Sequence, residues 1–232
     1  MITLFTVPRN FKDSVGIRQL NGIRSWKEIM PNCEVIIFGN EEGSEQVCRQ
    51  LGLRQVKDIE VNEYGTPKFD FIFNTAQEIA TYDYVCFNNP DIILLDDFRK
   101  SVGIVIKEKK CMLIGNRLDI DLQSEIDFDS NWQKNITDYA INTGKWKGRS
   151  GSDYFLFKKG MVRDFPPFLV GRPGYDTWLM NYGWKNGFKL IDGTKSVLCL
   201  HQNHDYSHVK NSRKKDYHGP EADYNKAVAE EA

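Results

Sequence analysis

The stretch Tyr84-Val85-Cys86-Phe87-Asn88-Asn89-Pro90-Asp91-Ile92-Ile93-Leu94-Leu95 decides the fold class of this chain. Residues 84–87 predict a buried strand, and a short polar break separates them from a second apolar run. In open α/β sheets, ligands bind at the carboxyl ends of the strands, which is where this break lies. The side-chain oxygen of Asn89 and the carboxylate of Asp91 can both reach one divalent cation, and Mg²⁺ or Mn²⁺ accepts such ligands. The other interpretation is a tight Asn-Pro turn between two strands.

The first half of the chain alternates predicted strands and helices. Residues 2–7 are β-branched and aromatic, which is typical of a buried strand, and residues 34–38 predict a second strand. Residues 39–43 form a turn before a short helix to residue 51, and an amphipathic helix over residues 69–80 leads into the strand at Tyr84. The helix predicted between the first two strands ends at Pro31. Its apolar residues lie three apart along one face: Ile17, Leu20, Ile23 and Trp26. The series favours right-handed βαβ crossovers and a parallel sheet.

The second half is less regular. It predicts strands at residues 112–115, 153–157, 189–192 and 197–200, and a helix at 175–182. Because no repeat or low-complexity linker divides the chain, we expect a single domain over residues 1–208 and a charged tail over residues 209–232. The basic cluster Arg213-Lys214-Lys215 is either a solvated part of that tail or a phosphate contact. The chain has neither a G-x-G-x-x-G motif nor a P-loop, which weighs against NAD and P-loop chemistry.

Composition argues against several classes of protein. With 31 basic and 32 acidic residues among 232, the formal net charge is -1, so no overall field favours nucleic acid or membranes. The five cysteines are scattered without a CxxC pair, which indicates neither a zinc site nor a disulfide framework. No run approaches the length of a spanning helix, and no signal sequence opens the chain. We therefore expect a soluble, reduced, cytoplasmic protein without a transmembrane segment.

Further polar clusters follow predicted strands. Arg117-Leu118-Asp119-Ile120-Asp121 comes directly after the strand at residues 112–115. In an extended segment Asp119 and Asp121 point the same way. An arginine beside them suits recognition of phosphate or sugar hydroxyls, and a surface salt bridge is the alternative.

Asp176 follows the Gly171-Arg172-Pro173-Gly174 loop, at or near the start of the predicted helix over residues 175–182. It could cap that helix, or it could act as a general base toward an acceptor hydroxyl. Trp178 could offer a flat face for a sugar ring, or it could belong to the core.

Three of the four histidines lie in His201-Gln202-Asn203-His204-Asp205-Tyr206-Ser207-His208. Histidine is a common ligand of metals and a partner of phosphate, so we favour such roles for His201 and His204 over purely structural ones. The spacing does not match HExxH, which argues against a zinc peptidase.

Taken in order along the chain, these motifs resemble those of the GT-A nucleotide-sugar glycosyltransferases. The resemblance implies a Rossmann-like α/β fold with a mostly parallel central sheet flanked by helices and a smaller acceptor-side region. It divides the domain into a nucleotide-binding half, residues 1–100, and an acceptor or catalytic half, residues 101–208. The motifs that carry it are Thr6-Val7-Pro8, Phe38-Gly39-Asn40-Glu41-Glu42-Gly43, Gly65-Thr66-Pro67, Asn89-Pro90-Asp91, Gly115-Asn116-Arg117-Leu118-Asp119, Gly151-Ser152-Asp153-Tyr154-Phe155, Pro166-Pro167-Phe168, Gly171-Arg172, Tyr175-Asp176-Thr177-Trp178 and the histidine motif.

The resemblance also implies a metal site. Asn89-Pro90-Asp91 occupies the place of the Asp-x-Asp motif that holds Mn²⁺ or Mg²⁺ against the donor diphosphate. The first Asp is Asn89 here, so one negative charge is missing and Asp91 becomes the principal carboxylate ligand. His201 corresponds to the C-terminal histidine that completes the metal site in many members, with His204 as the competing choice.

The same resemblance implies catalytic and donor-binding residues. Asp176 resembles the base of inverting members, and Asp153 is expected near the sugar, although a retaining mechanism remains open if Asp176 only orients the sugar. The residues expected at the nucleotide sugar are Thr6, Val7 and Pro8 along the base, Asn40 near the ribose, and Arg9, Lys68, Asn88, Asn89, Arg117, Asp119 and His204.

Three functions follow as hypotheses. The leading one is a metal-dependent glycosyltransferase that moves a sugar from a nucleotide-diphosphate donor, with UDP-sugars favoured, to a glycan or glycolipid acceptor. A nucleotidyltransferase would usually have a Gly-rich basic loop after the first strand, and Val7-Pro8-Arg9-Asn10-Phe11 is not one. The alternative is a catalytically degenerate module that binds a sugar nucleotide or a glycan, which the Asn at position 89 favours.

Overall fold

A mixed sheet flanked by helices organises the chain. The structure is a computed structural model that describes residues 1–146, 148, 152–204 and 218–232. The first half contains β1 (Thr3–Thr6), α1 (Asp13–Ile29), β2 (Glu34–Phe38), α2 (Ser44–Leu51), β3 (Arg54–Val56), α3 (Phe69–Ile79), β4 (Tyr84–Asn88) and β5 (Ile92–Ile93). The second half contains α4 (Asp96–Val105), β6 (Cys111–Ile120), α5 (Trp132–Thr143), β7 (Lys145–Trp146), β8 (Ser152–Lys158), α6 (Tyr175–Lys185), β9 (Lys189–Asp192), β10 (Cys199–Gln202) and α7 (Pro220–Glu231).

The strand order is β3-β2-β1-β4-β8-β6-β10-β5, with β7 and β9 also paired to β6. The first four strands of this order run parallel, as the predicted βαβ units require. Strand β8 lies antiparallel between β4 and β6, and β10 returns parallel to β6. The predicted α/β fold with a mostly parallel central sheet is therefore confirmed.

The sheet separates two apolar cores. Successive residues of a strand point to opposite faces, so Leu4 of β1 enters one core and Phe5 enters the other. The first core includes residues of α1 and α4, such as Trp26 and Phe98. The second is rich in aromatic rings of α3 and its neighbours, where Phe73 packs edge-on against Phe5 at 5.0 Å between ring centroids. These two layers hold the carboxyl ends of β1 and β4 rigidly at one edge.

Several predicted elements match the structure, and others were missed. Strands β1, β2, β4, β8, β9 and β10 and helices α1, α2, α3 and α6 correspond to the predicted ones. Strand β6 is longer than predicted, because it continues through Arg117 and Asp119 to Ile120. Helices α4 and α5 and strands β3 and β7 were not predicted.

Helix α7 lies within the segment that the sequence indicated as a charged tail. Ala222 and Asn225 are buried at 2% and 0% exposure, so this part of the segment packs on the domain. A pattern search overlooks such a helix because its buried contacts include a hydrogen-bonded asparagine rather than an apolar stripe. The cluster Arg213-Lys214-Lys215, residues 205–208 of the histidine motif, and Gly151 lie outside the described residues.

All five cysteines are buried, and none of them forms a disulfide bond. In the described part of the chain, every helix is too short or too polar to cross a membrane. The cytoplasmic location stays a prediction.

Candidate functional site

Strand pairing brings three distant segments together at one sheet edge. Asp91 follows β4, and the chain enters β5 at the next residue. Strand β10 pairs with β5 so that His201 lies opposite Ile92, and it pairs with β6 so that His201 also lies opposite Asp119. The register therefore places the His201 side chain between the carboxylates of Asp91 and Asp119.

These residues form a compact cluster of oxygen and nitrogen atoms. The Nε2 atom of His201 lies 3.5 Å from Oδ2 of Asp91, and its Nδ1 atom lies 3.0 Å from Oδ1 of Asp119. The Nε2 atom of His204 lies 3.2 Å from the same Asp91 oxygen. One potential ligand atom from each of Asp91, His201 and His204 falls within 4.8 Å of the others. The sequence offered His201 and His204 as competing choices, whereas the structure brings both to Asp91.

The charges of this cluster are strongly coupled. Burial acts to raise the pKa of Asp91, but the nearby His201 and His204 outweigh it, so the pKa lies well below its usual range. Burial acts to lower the pKa of His201, yet the carboxylates of Asp91 and Asp119 raise it to about 9. Without a metal, a proton on His201 therefore balances part of the negative charge of Asp91 and Asp119. A bound cation would balance the same charge.

Asp153 forms the second part of the site. Its Oδ1 atom accepts hydrogen bonds from Nη1 of Arg117 at 2.7 Å and from Nδ2 of Asn89 at 3.1 Å. Burial is the main cause of a raised pKa for Asp153, and the charges of Arg117 and His201 oppose it. Its Oδ2 atom is buried and has no hydrogen-bond partner among the residues that the structure describes. A buried acceptor without a hydrogen-bond partner reduces the stability of a folded protein. A hydrogen-bond donor from a bound ligand would satisfy this oxygen.

Arg117 is an ion-pair partner within the site. It also donates to Asp119 Oδ1 at 2.9 Å, and only 11% of its side chain is exposed. These are largely buried pairs rather than the surface salt bridge considered from the sequence. When His201 is neutral, as a metal ligand must be, the carboxylates of Asp91, Asp119 and Asp153 outnumber the guanidinium of Arg117, which suits a site that receives a cation.

The backbone around Asp91 is held by buried amides. Gln202 Nε2 donates to the backbone oxygen of Asp91 at 2.9 Å and to that of Arg18 at 2.9 Å. Asn88 is fully buried, and its amide nitrogen can donate to the backbone oxygen of Asp153 at 2.7 Å. Asn89 directs its amide toward Asp153, and its predicted role as a metal ligand stays a prediction.

The end of β1 reaches the same sheet edge. Phe5 pairs with Phe87, so Thr6 and Asn88 follow side by side at the carboxyl ends of β1 and β4. Thr6 is buried, and its Oγ1 has no hydrogen-bond partner in the described parts of the chain. The rest of the predicted base-binding segment ranges from buried to exposed: Pro8 is buried, Val7 is partly exposed and Arg9 is exposed.

Two more predicted donor-binding residues lie in loops. Asn40 is exposed in the turn after β2. Lys68 immediately precedes α3, and its Nζ lies 3.8 Å from Oε2 of Glu60. Their roles at the nucleotide sugar stay predictions.

Helix α6 begins beside the site. Asp176 lies in its first turn and accepts a hydrogen bond from the backbone N–H of Thr177 at 2.8 Å, whereas the N-cap residue of the helix is Gly174, without a side-chain cap. The role of Asp176 as a base stays a prediction. Trp178 is 9% exposed and packs against Phe165 at 4.9 Å between ring centroids, so it belongs to the core.

Tyr175 is a candidate that residue types alone did not single out. Its ring packs on Phe69 at 4.4 Å and Phe87 at 5.9 Å, next to the end of β4. Burial raises its pKa well above the usual value, and the charges of Asp176 and Asp153 add to the effect. The only signal in the sequence was its place immediately before Asp176.

No family model matches the chain, and no curated protein matches it in sequence. Solved structures do match. Staphylococcus aureus TarS with UDP-GlcNAc superposes with a TM-score of 0.60 at 13% identity, over 91% of this chain and 61% of that one. The mannosyltransferase PcManGT of Pyrobaculum calidifontis, with GDP-Man and Mn²⁺, gives 0.54 at 13% identity, over 88% of this chain and 57% of that one.

A third structure matches over nearly its whole length. It is a nucleotide-diphospho-sugar transferase of Desulfovibrio desulfuricans whose function is itself inferred, with a TM-score of 0.53, 8% identity, and coverage of 99% of this chain and 97% of that one. The chain spans about three fifths of the length of the TarS and PcManGT chains. At these identities the likeness concerns the fold, and this chain has the GT-A-like fold of nucleotide-sugar glycosyltransferases.

Proposed function

We propose that this chain is a metal-dependent glycosyltransferase that moves a sugar from a nucleotide-diphosphate donor to a hydroxyl of a glycan or glycolipid. The observation that carries the proposal is the Asp91, His201 and His204 cluster beside the unpartnered Oδ2 of Asp153, at the sheet edge where such folds bind ligands. The two structural neighbours named with UDP-GlcNAc and GDP-Man support a nucleotide-sugar donor. A UDP-sugar remains the favoured donor.

The residues present fit a divalent cation. One carboxylate and two imidazoles form a mixed oxygen and nitrogen donor set, which suits Mn²⁺ better than Mg²⁺, and three protein ligands leave room for other oxygen atoms. Asp91, His201 and His204 would hold the ion. Asp119 would orient the His201 ring through its contact with the Nδ1 atom of that ring. When bound, the ion would supply positive charge at the diphosphate that leaves.

The site also offers groups for the donor sugar. The Oδ2 atom of Asp153 can accept a hydrogen bond from a sugar hydroxyl, which would satisfy an acceptor that is otherwise buried without a partner. Arg117 holds Asp153 in place through its other oxygen. Tyr175, whose ring packs on Phe69 of α3 and Phe87 of β4, is a further candidate to contact the sugar.

Asp176 is the base in this proposal. In a single inverting displacement, the acceptor oxygen bonds to the anomeric carbon while the bond to the diphosphate oxygen breaks. The hydroxyl proton passes to the Asp176 carboxylate. The place of Asp176 in the first turn of α6, next to Tyr175, supports this role.

A catalytically degenerate sugar-nucleotide or glycan-binding module is the second candidate. Asn89 stands where a second carboxylate would increase metal affinity, and its amide is engaged with Asp153. Such a module would bind the donor without breaking the glycosidic bond.

The test combines binding and turnover. Thermal unfolding is followed with UDP-, GDP-, dTDP- and CMP-sugars, each with and without Mn²⁺, for the wild type and Asp91→Ala, and released nucleoside diphosphate is measured in parallel. We expect one donor class to stabilise the wild type only with metal, with slow donor hydrolysis that Asp91→Ala abolishes. Binding without any release would favour the degenerate module. No stabilisation by any donor would refute the transferase and would leave a glycan-binding module as the remaining candidate.

A further inference from the structure

Helix α7 makes contacts that a solvated tail would not make. Its Ala222 and Asn225 are buried, and Val228 packs against the aromatic core that also contains Phe69 and Trp178. The helix therefore completes the domain surface on the side where α3 and α6 begin.

A single carboxylate of α7 joins two separate loops. Glu221 Oε1 accepts hydrogen bonds from Nδ2 of Asn62 at 2.8 Å and from Oγ1 of Thr66 at 2.5 Å. Its Oε2 atom pairs with Nη2 of Arg172, and the side chains of this ion pair are only 12% and 17% exposed. Burial acts to raise the pKa of Glu221, but hydrogen bonds from Thr66 and Asn62 and the Arg172 contact lower it overall.

Asn225 fixes the second loop through its backbone. Its Oδ1 atom accepts a hydrogen bond from the N–H of Leu169 at 2.8 Å, and its Nδ2 atom donates to the backbone oxygens of Leu169 at 3.1 Å and Pro173 at 3.2 Å. The amide thus pairs with Leu169 as a neighbouring strand would. Together, Glu221 and Asn225 hold the loop over residues 169–173 at both ends.

Both loops lead directly into helices of the proposed site. The turn held at Asn62 and Thr66 continues through Lys68 into α3, and the loop that contains Arg172 continues into α6 with Tyr175 and Asp176. The loops also contact each other, because the N–H of Val170 donates to the backbone oxygen of Pro67 at 2.9 Å. A displacement of the second loop would move the first turn of α6, with Tyr175 and Asp176, and a displacement of the first loop would move Lys68, which precedes α3.

We propose that α7 is a positioning element of the transferase site, in which Glu221 and Asn225 hold the starts of α3 and α6 in the arrangement that catalysis requires. This inference rests on the proposed function for its catalytic consequence. Its structural part, the ordering of the two loops, can be measured independently. Because the metal cluster lies in the β4–β5 connection, in β10 and just after β10, we expect α7 to affect turnover much more than binding of a nucleoside diphosphate with metal.

The test is Glu221→Gln, which keeps the side-chain volume and removes the negative charge of the carboxylate that contacts Asn62, Thr66 and Arg172. Glu230→Gln is the matched control, because it removes the same charge from an exposed position of the same helix. We expect amide hydrogen exchange to accelerate about tenfold over residues 62–68 and 169–176 in Glu221→Gln, and to stay unchanged in β1 and β4. Donor turnover should fall roughly 10- to 100-fold, the scale of a misplaced reacting group, while the affinity for UDP with Mn²⁺ changes less than about twofold.

The outcomes separate the two proposals. If Glu221→Gln matches Glu230→Gln in hydrogen exchange and turnover, the positioning role is refuted. If exchange accelerates in both loops but wild-type protein neither binds nor turns over any donor, the proposed function fails and the ordering role of α7 stands. Thr66→Ala, which removes one hydroxyl from the loop side, gives the same readouts if Glu221→Gln does not fold. Faster exchange with unchanged turnover would refute the catalytic part of the inference.

Discussion

Replacement of Asp91 by asparagine should abolish stabilisation of the fold by Mn²⁺. The Asp91 carboxylate lies close to both His201 and His204, at 3.5 and 3.2 Å. Asparagine keeps the volume and a side-chain oxygen, so the backbone of the β4–β5 connection should be retained. His201 also keeps its contact with Asp119, which limits the loss of stability without metal to about 1–3 kcal/mol.

The magnitude follows from binding linkage. At a free Mn²⁺ concentration about 100 times the dissociation constant, a site present only in the folded state adds about 2.7 kcal/mol to the free energy of unfolding. For a chain of this size, about 2–4 °C per kcal/mol corresponds to a rise in Tm of roughly 5–11 °C. If Asp91→Asn weakens binding about 100-fold, the same concentration adds only about 0.4 kcal/mol, or roughly 1 °C.

The assay is thermal unfolding against a Mn²⁺ titration for the wild type, Asp91→Asn and Asp138→Asn. Asp138 is exposed and pairs with Lys134 on α5, so its replacement controls for loss of one negative charge elsewhere. We expect the wild type and Asp138→Asn to be stabilised alike. A wild-type Tm that does not respond to Mn²⁺, or an equal response in Asp91→Asn, would refute the assignment of the metal cluster.

Three further predictions concern the packing and the electrostatics of the fold. A Cβ at Gly22 would lie 2.2 Å from the backbone oxygen of Pro90, so Gly22→Ala should destabilise the fold by about 1–3 kcal/mol in urea unfolding. The control Gly103→Ala, in open space on α4, should be neutral or stabilising by up to about 1 kcal/mol, and equal effects of the two substitutions would contradict this packing. Burial acts to raise the pKa of Glu34, but its hydrogen bonds lower it overall, so the stability lost in Glu34→Gln should be greatest above about pH 4.5 and should vanish as the pH falls through the lowered pKa. A difference in unfolding free energy between wild type and Glu34→Gln that stays constant across this pH range would contradict the prediction. Phe73→Ala, which empties a fully buried site in the aromatic core, should cost about 3–5 kcal/mol in the same urea assay, and a loss below 1 kcal/mol would argue against that core.

Elements with a strong local pattern could be predicted from the sequence. Strands β1, β2 and β4 are short apolar runs bounded by turn residues, and α3 has a clear apolar face. Helix α5 was missed although its buried Trp132, Ile136 and Ala140 recur four apart, so the signal was present and was overlooked. Helix α7 carried little such signal, because its attachment depends on the polar contacts of Glu221 and Asn225.

Some residues of the candidate site could also be predicted from local sequence patterns. Asp91 and His201 stood out because carboxylate and imidazole groups follow apolar strands at predicted sheet edges. Asp153 was expected near the sugar by resemblance, but its pairing with Arg117 and its unpartnered second oxygen became visible only in the structure. Tyr175 needed the aromatic packing around it to be noticed.

By itself, the sequence determined which segments form strands and which polar side chains stand at their ends, because local composition and periodicity govern both. Only the tertiary structure decided that His201 lies between Asp91 and Asp119 and that His204 joins them. That arrangement arises from the pairing of β10 with β5 and β6, in a register set by contacts between residues far apart in the chain. Since a shift of one residue would turn the His201 side chain to the opposite face, the register of this one strand decides whether the site exists.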